Sequence, residues 1–174
     1  MSESTVTSYI GVGSNIDPET NIEHALSALG QHVRIEAIST FYRTKPLLGR
    51  RQPDYLNGVW KISTGIPLPE LKTGVLSPIE NELGRIRTAD AYAARTIDLD
   101  ILLYGDMVAD GGEITVPDHD ITTRPFIAIP LYELAPGLVL PGTGTPLSEI
   151  ARNMNTESMI ADIPFTERLR RIIS

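Results

Sequence analysis

The sequence predicts an α+β fold: a sheet with antiparallel pairs and helices packed on its faces, in place of a wholly parallel doubly wound sheet. Three observations lead there. Stretches with strand and helix periodicity interleave along the chain. Two strand stretches, 33–41 and 59–64, are joined by the turn-rich loop TKPLLGRRQPDYLNG, which has no helical period, so they pair without a crossover helix. The chain has 174 residues, 41% of them hydrophobic, enough for one core that buries roughly 70% of the surface of the unfolded chain. A single domain over 1–174 is the expectation.

Residues 6–12, VTSYIGV, mix β-branched and aromatic side chains and read as a first strand, ending in the turn Gly11-Val12-Gly13-Ser14-Asn15. A helix follows, with Ile22, Ala25, Leu26 and Leu29 at helical spacing and Gly30 at its end. In 33–41, Val33, Ile35 and Ala37 alternate with Arg34 and Glu36, the pattern of a half-buried strand. After the strand 59–64, residues 69–83 read as a helix that Pro78 kinks or breaks near Ser77, because proline removes a donor and clashes with the preceding turn. Residues 84–94 have no buried periodicity and read as a connector. Residues 96–104 form a strand with an apolar interior, 106–113 a polar turn and 114–116 a short strand. Helices are expected at 123–134, interrupted by Pro125 and Pro130, and at about 147–153. Arg168, Arg170 and Arg171 read as a solvated helix end.

With 15 Lys and Arg against 22 Asp and Glu, the net charge of −7 argues against a nucleic-acid or anionic-membrane surface. The balance is uneven, however: 43–95 holds 9 basic and 5 acidic residues, so an anionic ligand is not excluded. The absence of cysteine rules out disulfides and thiolate metal sites and fits a reducing compartment. No signal segment is apparent at the N-terminus and no apolar run approaches the roughly 20 residues of a spanning helix, so the cytoplasm is the expected address.

The Gly11–Asn15 stretch invites a dinucleotide-binding reading, but a third glycine would fall at Ile16, so a structural turn is favoured. No Gly-Lys-Ser/Thr follows either glycine-rich stretch, which excludes a Walker cradle. The most informative stretch is Arg95-Thr96-Ile97-Asp98-Leu99-Asp100. Residues two apart on a strand share a face, so Asp98 and Asp100 present neighbouring carboxylates, a pair that repels unless a cation lies between. Such hard oxygen ligands suit Mg²⁺ completed by water and phosphate; the alternative is a solvated strand face. Arg85, Arg87 and Arg95 flank the pair and Arg124 follows, guanidinium groups that fork onto phosphate oxygens and neutralise a transferring phosphoryl group. Phosphoryl or pyrophosphoryl transfer from ATP needs that combination; surface ion pairs with Glu80, Glu82 and Asp90 are the other reading. A second constellation, the loop Thr44–Asn57 with Tyr55 and Phe126, offers an amide, backbone and aromatic faces to a heterocycle.

Four blocks in order, YIGVGSN at 9–15, FYRTKPL with QPDYLNG at 41–58, ELGRIRTADAYAARTIDLDILLYG at 82–105 and VPDHDITTRPFIAIPLYELAP at 116–136, resemble the hydroxymethyldihydropterin pyrophosphokinases of folate biosynthesis. The resemblance runs from 9 to about 150; the tail 153–174 adds little to it. It implies a ferredoxin-like three-layer α-β-α sandwich, monomeric, that moves pyrophosphate from ATP to 6-hydroxymethyl-7,8-dihydropterin and releases AMP. It implies two Mg²⁺ held by Asp98 and Asp100, with Arg85 and Arg95 stabilising the transferring group and Arg87 supporting the phosphates. Thr44 and Leu47 would offer backbone to the pterin edge and Asn57 its amide, with Tyr55 and Phe126 sandwiching the ring. Ile101, Thr115, His119 and Arg124 would line the nucleotide side, with Glu80 near it.

The chain departs from the family pattern at several places. Asp118 stands where a histidine is usual, Tyr92 where tryptophan is, Ala93-Ala94 where Gly-Pro is, Lys45 where proline is and Glu113 where an arginine often is. Weaker ATP binding or altered loop closure is the expected result. A non-catalytic pterin- or nucleotide-binding homologue, releasing no AMP, is one rival reading, and an ATP-dependent kinase releasing ADP is another.

Overall fold

The computed structural model of the chain describes residues 4–86, 89–90 and 92–174. Arg87, an expected phosphate ligand, lies outside the described residues. The centre of the structure is an antiparallel pair. Strand β1 (Val6–Ser14) runs along β4 (Tyr55–Thr64) for its full length, Val6 opposite Thr64 and Ser14 opposite Leu56. On the other side of β1 lies β5 (Asp98–Tyr104), also antiparallel. The far side of β4 takes β2 (Arg34–Ile38) and β3 (Tyr42–Thr44), and β6 (Ile160–Ala161) adds to β3, so the order is β5-β1-β4-β3-β6 with β2 beside β4.

Helices cover both faces. On one, α1 (Pro18–Leu29) and α6 (Ile163–Ile173) pack with the helical run that follows β4. That run is α2 (Leu68–Glu70), a π-helical stretch Leu71–Leu76 and α3 (Ser77–Glu82). Ile10, Val12, Leu56, Trp60, Ile62, Leu99 and Ile101 meet Leu26, Leu71, Leu76 and Phe165 in this layer. On the other face α4 (Pro125–Leu134) and α5 (Leu147–Arg152) bury Leu131 and Leu147 against Tyr9, Val59, Leu102 and Leu103. The result is the α+β arrangement expected from the sequence, helices on both faces of an antiparallel sheet.

Several elements differ from their expected bounds, each for a physical reason. Gly11 and Gly13 are not in a turn; β1 continues through them because both are paired on both sides, Gly13 with Asn57 and Asp98, and Gly11 with Val59 and Asp100. Strand β4 starts at Tyr55 within what read as loop, since pairing with β1 overrides the turn-like composition of Asn57-Gly58. Of the strand expected over 33–41 only Arg34–Ile38 forms β2; Ser39 turns onto β4, its N–H donating to Val59 O and its hydroxyl accepting from Val59 N, and β3 follows beyond the expected end, at Tyr42–Thr44. Pro78 causes no break. The preceding turns widen to π-helix, the Ser77 N–H reaching Lys72 O, which leaves room for the proline ring.

The last correction concerns the C-terminus. Helix α6 is part of the core, with Phe165 and Leu169 fully buried and the Phe165 ring edge-on to Phe41 at 5.7 Å. Arg170 donates to Ile38 O at 3.0 and 3.1 Å and Arg168 pairs with Glu23, so these two arginines dock the helix and do not merely solvate its end.

Candidate active site

One face of the β5-β1-β4 ladder carries, in adjacent positions, Asp98 and Asp100 on β5, Gly11 and Gly13 on β1, and Tyr55 and Asn57 on β4. The glycines are the structural key. With no side chains on the middle strand, the sheet presents a backbone floor, and the flanking carboxylates and amide become the walls of a cleft of about 360 Å³. A Cβ on Gly13 would stand 2.6 Å from Asn57 Oδ1, so the floor cannot carry even a methyl without moving that amide. The cleft brings together Thr44, Leu47, Tyr55, Asn57, Arg95, Asp98, Asp100, Arg124 and Phe126, nine of the residues singled out from the sequence.

On the β5 side two arginines converge on one carboxylate. Arg85 Nη1 donates to Asp98 Oδ1 at 2.9 Å and Arg95 Nη1 to Asp98 Oδ2 at 2.5 Å. Arg85 is also paired with Glu80, which is buried just beneath and accepts from the Leu99 N–H at 3.2 Å. Burial works against the charge of Arg95, but Asp98 beside it holds the guanidinium above its ordinary range. The backbone that presents Arg95 is clamped by the end of β1: Asn15 Oδ1 accepts from Arg95 N at 2.7 Å, Asn15 N donates to Arg95 O at 3.1 Å, and the Ser14 hydroxyl donates to Thr96 O at 2.6 Å.

Asp100 is in a different state. Among the described residues no hydrogen-bond donor reaches its carboxylate, and burial, reinforced by the nearby carboxylates Asp98, Asp118 and Glu80, pushes its pKa well above the usual 3.8. Such a group is short of a cation. Among the described residues no set of three or more His, Cys, Asp or Glu forms a closed metal cage; two carboxylates on an open cleft instead fit Mg²⁺, whose other positions phosphate and water complete. The donor chemistry at Asp98 and Asp100 therefore fits the expected metal.

The opposite wall carries an amide and aromatic rings. Asn57 Nδ2 donates to the buried Thr44 hydroxyl at 2.8 Å, which fixes the amide with its Oδ1 toward Gly13. Burial raises the Tyr55 phenol pKa, and its hydroxyl reaches Ala93 O at 3.4 Å. Phe126 and Arg124 enter from the start of α4.

Some expected residues lie elsewhere. Ile101 is buried in the helix-facing core, His119 is exposed with Nε2 3.7 Å from Asp110, and neither they nor Thr115, Glu80 and Arg85 are among the residues lining the cleft. Glu113 borders a separate groove with Val6, Pro69 and Tyr104. Asp118 packs beside β5 through its N–H to Leu102 O at 2.9 Å, and burial raises its pKa. Sequence reasoning missed the floor glycines and Asn15. An alternating Gly-x-Gly within a strand was the available signal, since strand glycine marks a close approach.

Comparison with known proteins agrees with this geometry. The family model described as 7,8-dihydro-6-hydroxymethylpterin-pyrophosphokinase matches residues 9–136. The chain is 40% identical over 159 residues to the 2-amino-4-hydroxy-6-hydroxymethyldihydropteridine pyrophosphokinase of Haemophilus influenzae, covering 89% of this chain and 97% of that relative. It is 39% identical over 137 residues to the Pseudomonas aeruginosa protein of the same name, covering 76% and 83%. A crystal structure of a Plasmodium falciparum HPPK-DHPS triple mutant with pteroate superposes with a TM-score of 0.68 at 12% identity. That likeness, which concerns the fold, covers 86% of this chain, and the chain spans 43% of the Plasmodium one.

Proposed function

The chain belongs to the 7,8-dihydro-6-hydroxymethylpterin-pyrophosphokinase family, and from that premise we propose how its cleft works as an ATP-dependent pyrophosphokinase of folate biosynthesis. The substrate is 6-hydroxymethyl-7,8-dihydropterin. Its hydroxymethyl oxygen attacks the β-phosphorus of ATP, the bond from that phosphorus to the α-phosphate bridging oxygen breaks, and AMP leaves as the hydroxyl proton is lost. The observation that carries this reading is the pairing of two unlike walls across a glycine floor: carboxylates on β5 with arginines of the loop before it, and an amide and aromatic rings on β4 and α4.

Asp98 and Asp100 hold Mg²⁺, two ions in this proposal, which when bound neutralises the triphosphate and polarises its oxygens. Arg85 and Arg95, already aimed into the Asp98 side, take up charge developing on the transferred group, and Arg124 and Arg87 assist on the nucleotide side together with Thr115 and His119, while the Ile101 side chain, buried in the helix-facing core, supports β5 from behind. Glu80 acts one step back by orienting Arg85. Asn57 and the backbone of Thr44 and Leu47 read the pterin edge, while Tyr55 and Phe126 cover its faces. Both reactants must be held in line within about 3 to 3.5 Å, so the chain's main contribution is positioning. A cytoplasmic monomer is part of the proposal; among the described residues no helix is long and apolar enough to cross a membrane.

The test is substitution of the metal ligands. Asp98→Ala and Asp100→Ala abolish Mg²⁺-dependent AMP formation while circular dichroism and thermal melting remain those of a folded protein. Near wild-type AMP formation by either variant contradicts the metal assignment.

A further inference from the structure

The loop that begins at Arg85 and ends at Arg95 is fastened at both ends to Asp98. Its midpoint is fastened to something else. Asp90 receives a two-pronged ion pair from Arg50, Nη1 to Oδ2 at 2.5 Å and Nη2 to Oδ1 at 2.8 Å, and Arg50 belongs to the loop on the opposite, pterin-facing wall. The two loops meet again where Gln52 Nε2 donates to Tyr92 O at 2.8 Å, and the Arg50 guanidinium lies 6.0 Å from the centre of the Tyr92 ring. Asp90 also accepts from the Tyr92 N–H at 3.0 Å, so one carboxylate both shapes its own loop and grips the other.

We propose that Arg50 and Asp90 are positioning residues that join the pterin wall and the phosphate wall into one unit, so that filling one wall sets the arginines of the other. The geometry gives the reason. Lys45 and Leu47, on the Arg50 loop, line the cleft, as do Tyr92 and Arg95 on the Asp90 loop. Neither Arg50 nor Asp90 lines it, so their effect on turnover has to pass through the loops they connect. A planar guanidinium facing a carboxylate through two parallel bonds fixes orientation as well as distance, which a lysine at the same place does not do. Gln52 extends the same connection inward, because its Oε1 accepts from Asn15, the residue that clamps the Arg95 backbone.

The kinetic arm of this inference rests on the pyrophosphokinase reading; a structural arm does not. For the first, Arg50→Ala, Asp90→Ala, the double variant and the charge exchange Arg50→Asp with Asp90→Arg are compared in AMP release. Each single variant lowers kcat by about two- to fivefold with smaller changes in the KM of ATP, the double variant is no worse than either single one, and the exchange restores part of the loss. Arg50→Lys recovers less than the wild-type rate. For the second, hydrogen exchange is followed in the ligand-free protein: Asp90→Ala speeds exchange of amides in 45–54, and Arg50→Ala speeds exchange around Tyr92, each across the cleft from the substitution. Single-variant losses that simply multiply in the double variant, or exchange that changes on the substituted loop alone, overturn the proposal. A wild-type protein that releases no AMP removes the pyrophosphokinase reading and leaves the exchange experiment to decide the connection between the loops.

Discussion

Replacing Gly13 by alanine tests the floor of the cleft with one methyl group. The new Cβ would lie 2.6 Å from Asn57 Oδ1 and 3.7 Å from Asn57 Cγ, so the amide has to rotate. Rotation gives up the 2.8 Å bond from Asn57 Nδ2 to Thr44, whose hydroxyl is buried. Leaving such a group unsatisfied costs about 1–3 kcal/mol, and each 1.4 kcal/mol is tenfold in an equilibrium. Because Asn57 is the amide proposed to read the pterin, the KM for pterin rises by about tenfold or more while that for ATP changes by less than about threefold. Gly58→Ala is the control. Its Cβ points to the other face of the sheet, 2.5 Å from the Phe41 ring, which is fully buried against Trp60 and Phe165. Overpacking there costs about 1–3 kcal/mol and lowers Tm by about 2–4 °C for each of them, without a selective effect on pterin. Steady-state AMP release against each substrate and thermal melting separate the two. A Gly13→Ala protein with wild-type pterin KM refutes the reasoning.

Arg95→Ala lowers kcat by about a hundredfold or more with little change in pterin KM, measured by single-turnover AMP formation; an effect confined to binding assigns this arginine to docking alone. Asp118→Asn removes a half-buried carboxylate from beside the Asp98 and Asp100 side and lowers the KM for ATP by about two- to fivefold; an unchanged or higher KM argues against repulsion there. Asp100 binds its proton more tightly in the folded protein than in the unfolded chain, so with Mg²⁺ chelated its ionisation costs stability once pH rises above about 4 toward the raised value. Asp100→Asn therefore melts higher than the wild type at neutral pH in chelator, the gain shrinks as pH falls toward 4, and added Mg²⁺ stabilises the wild type more than the variant. Equal melting of the two proteins at pH 7 contradicts this.

What could be read in the sequence follows the range of the forces involved. Asp98 and Asp100 were legible because strand periodicity is local: two residues apart means one face, and the arginines near them are close in the chain. The α+β class was legible for the same reason, from alternation in 33–41 and helical spacing in 22–29. Long-range pairing was not. Gly11-Val12-Gly13 has the composition of a turn, and only β4 on one side and β5 on the other draw it into a strand. The π-helical stretch before Pro78 is a compromise between a missing donor and a buried apolar stripe, Leu71, Val75 and Leu76, that keeps the run helical. The C-terminal arginines read as a solvated helix end, but the burial of α6 was missed because Phe165 acquires its meaning from Phe41, more than a hundred residues away. The clamp of Asn15 on Arg95 and the grip of Arg50 on Asp90 are likewise contacts between polar side chains across loops, which no periodicity announces.

The central claim, pyrophosphoryl transfer across the glycine floor, is tested most directly by following the phosphorus products of one reaction. Purified protein with ATP, Mg²⁺ and 6-hydroxymethyl-7,8-dihydropterin is monitored by phosphorus NMR. AMP and the pterin diphosphate, in equal amounts and with no ADP, are the predicted products. Accumulation of ADP, or binding of both ligands without AMP, contradicts the account.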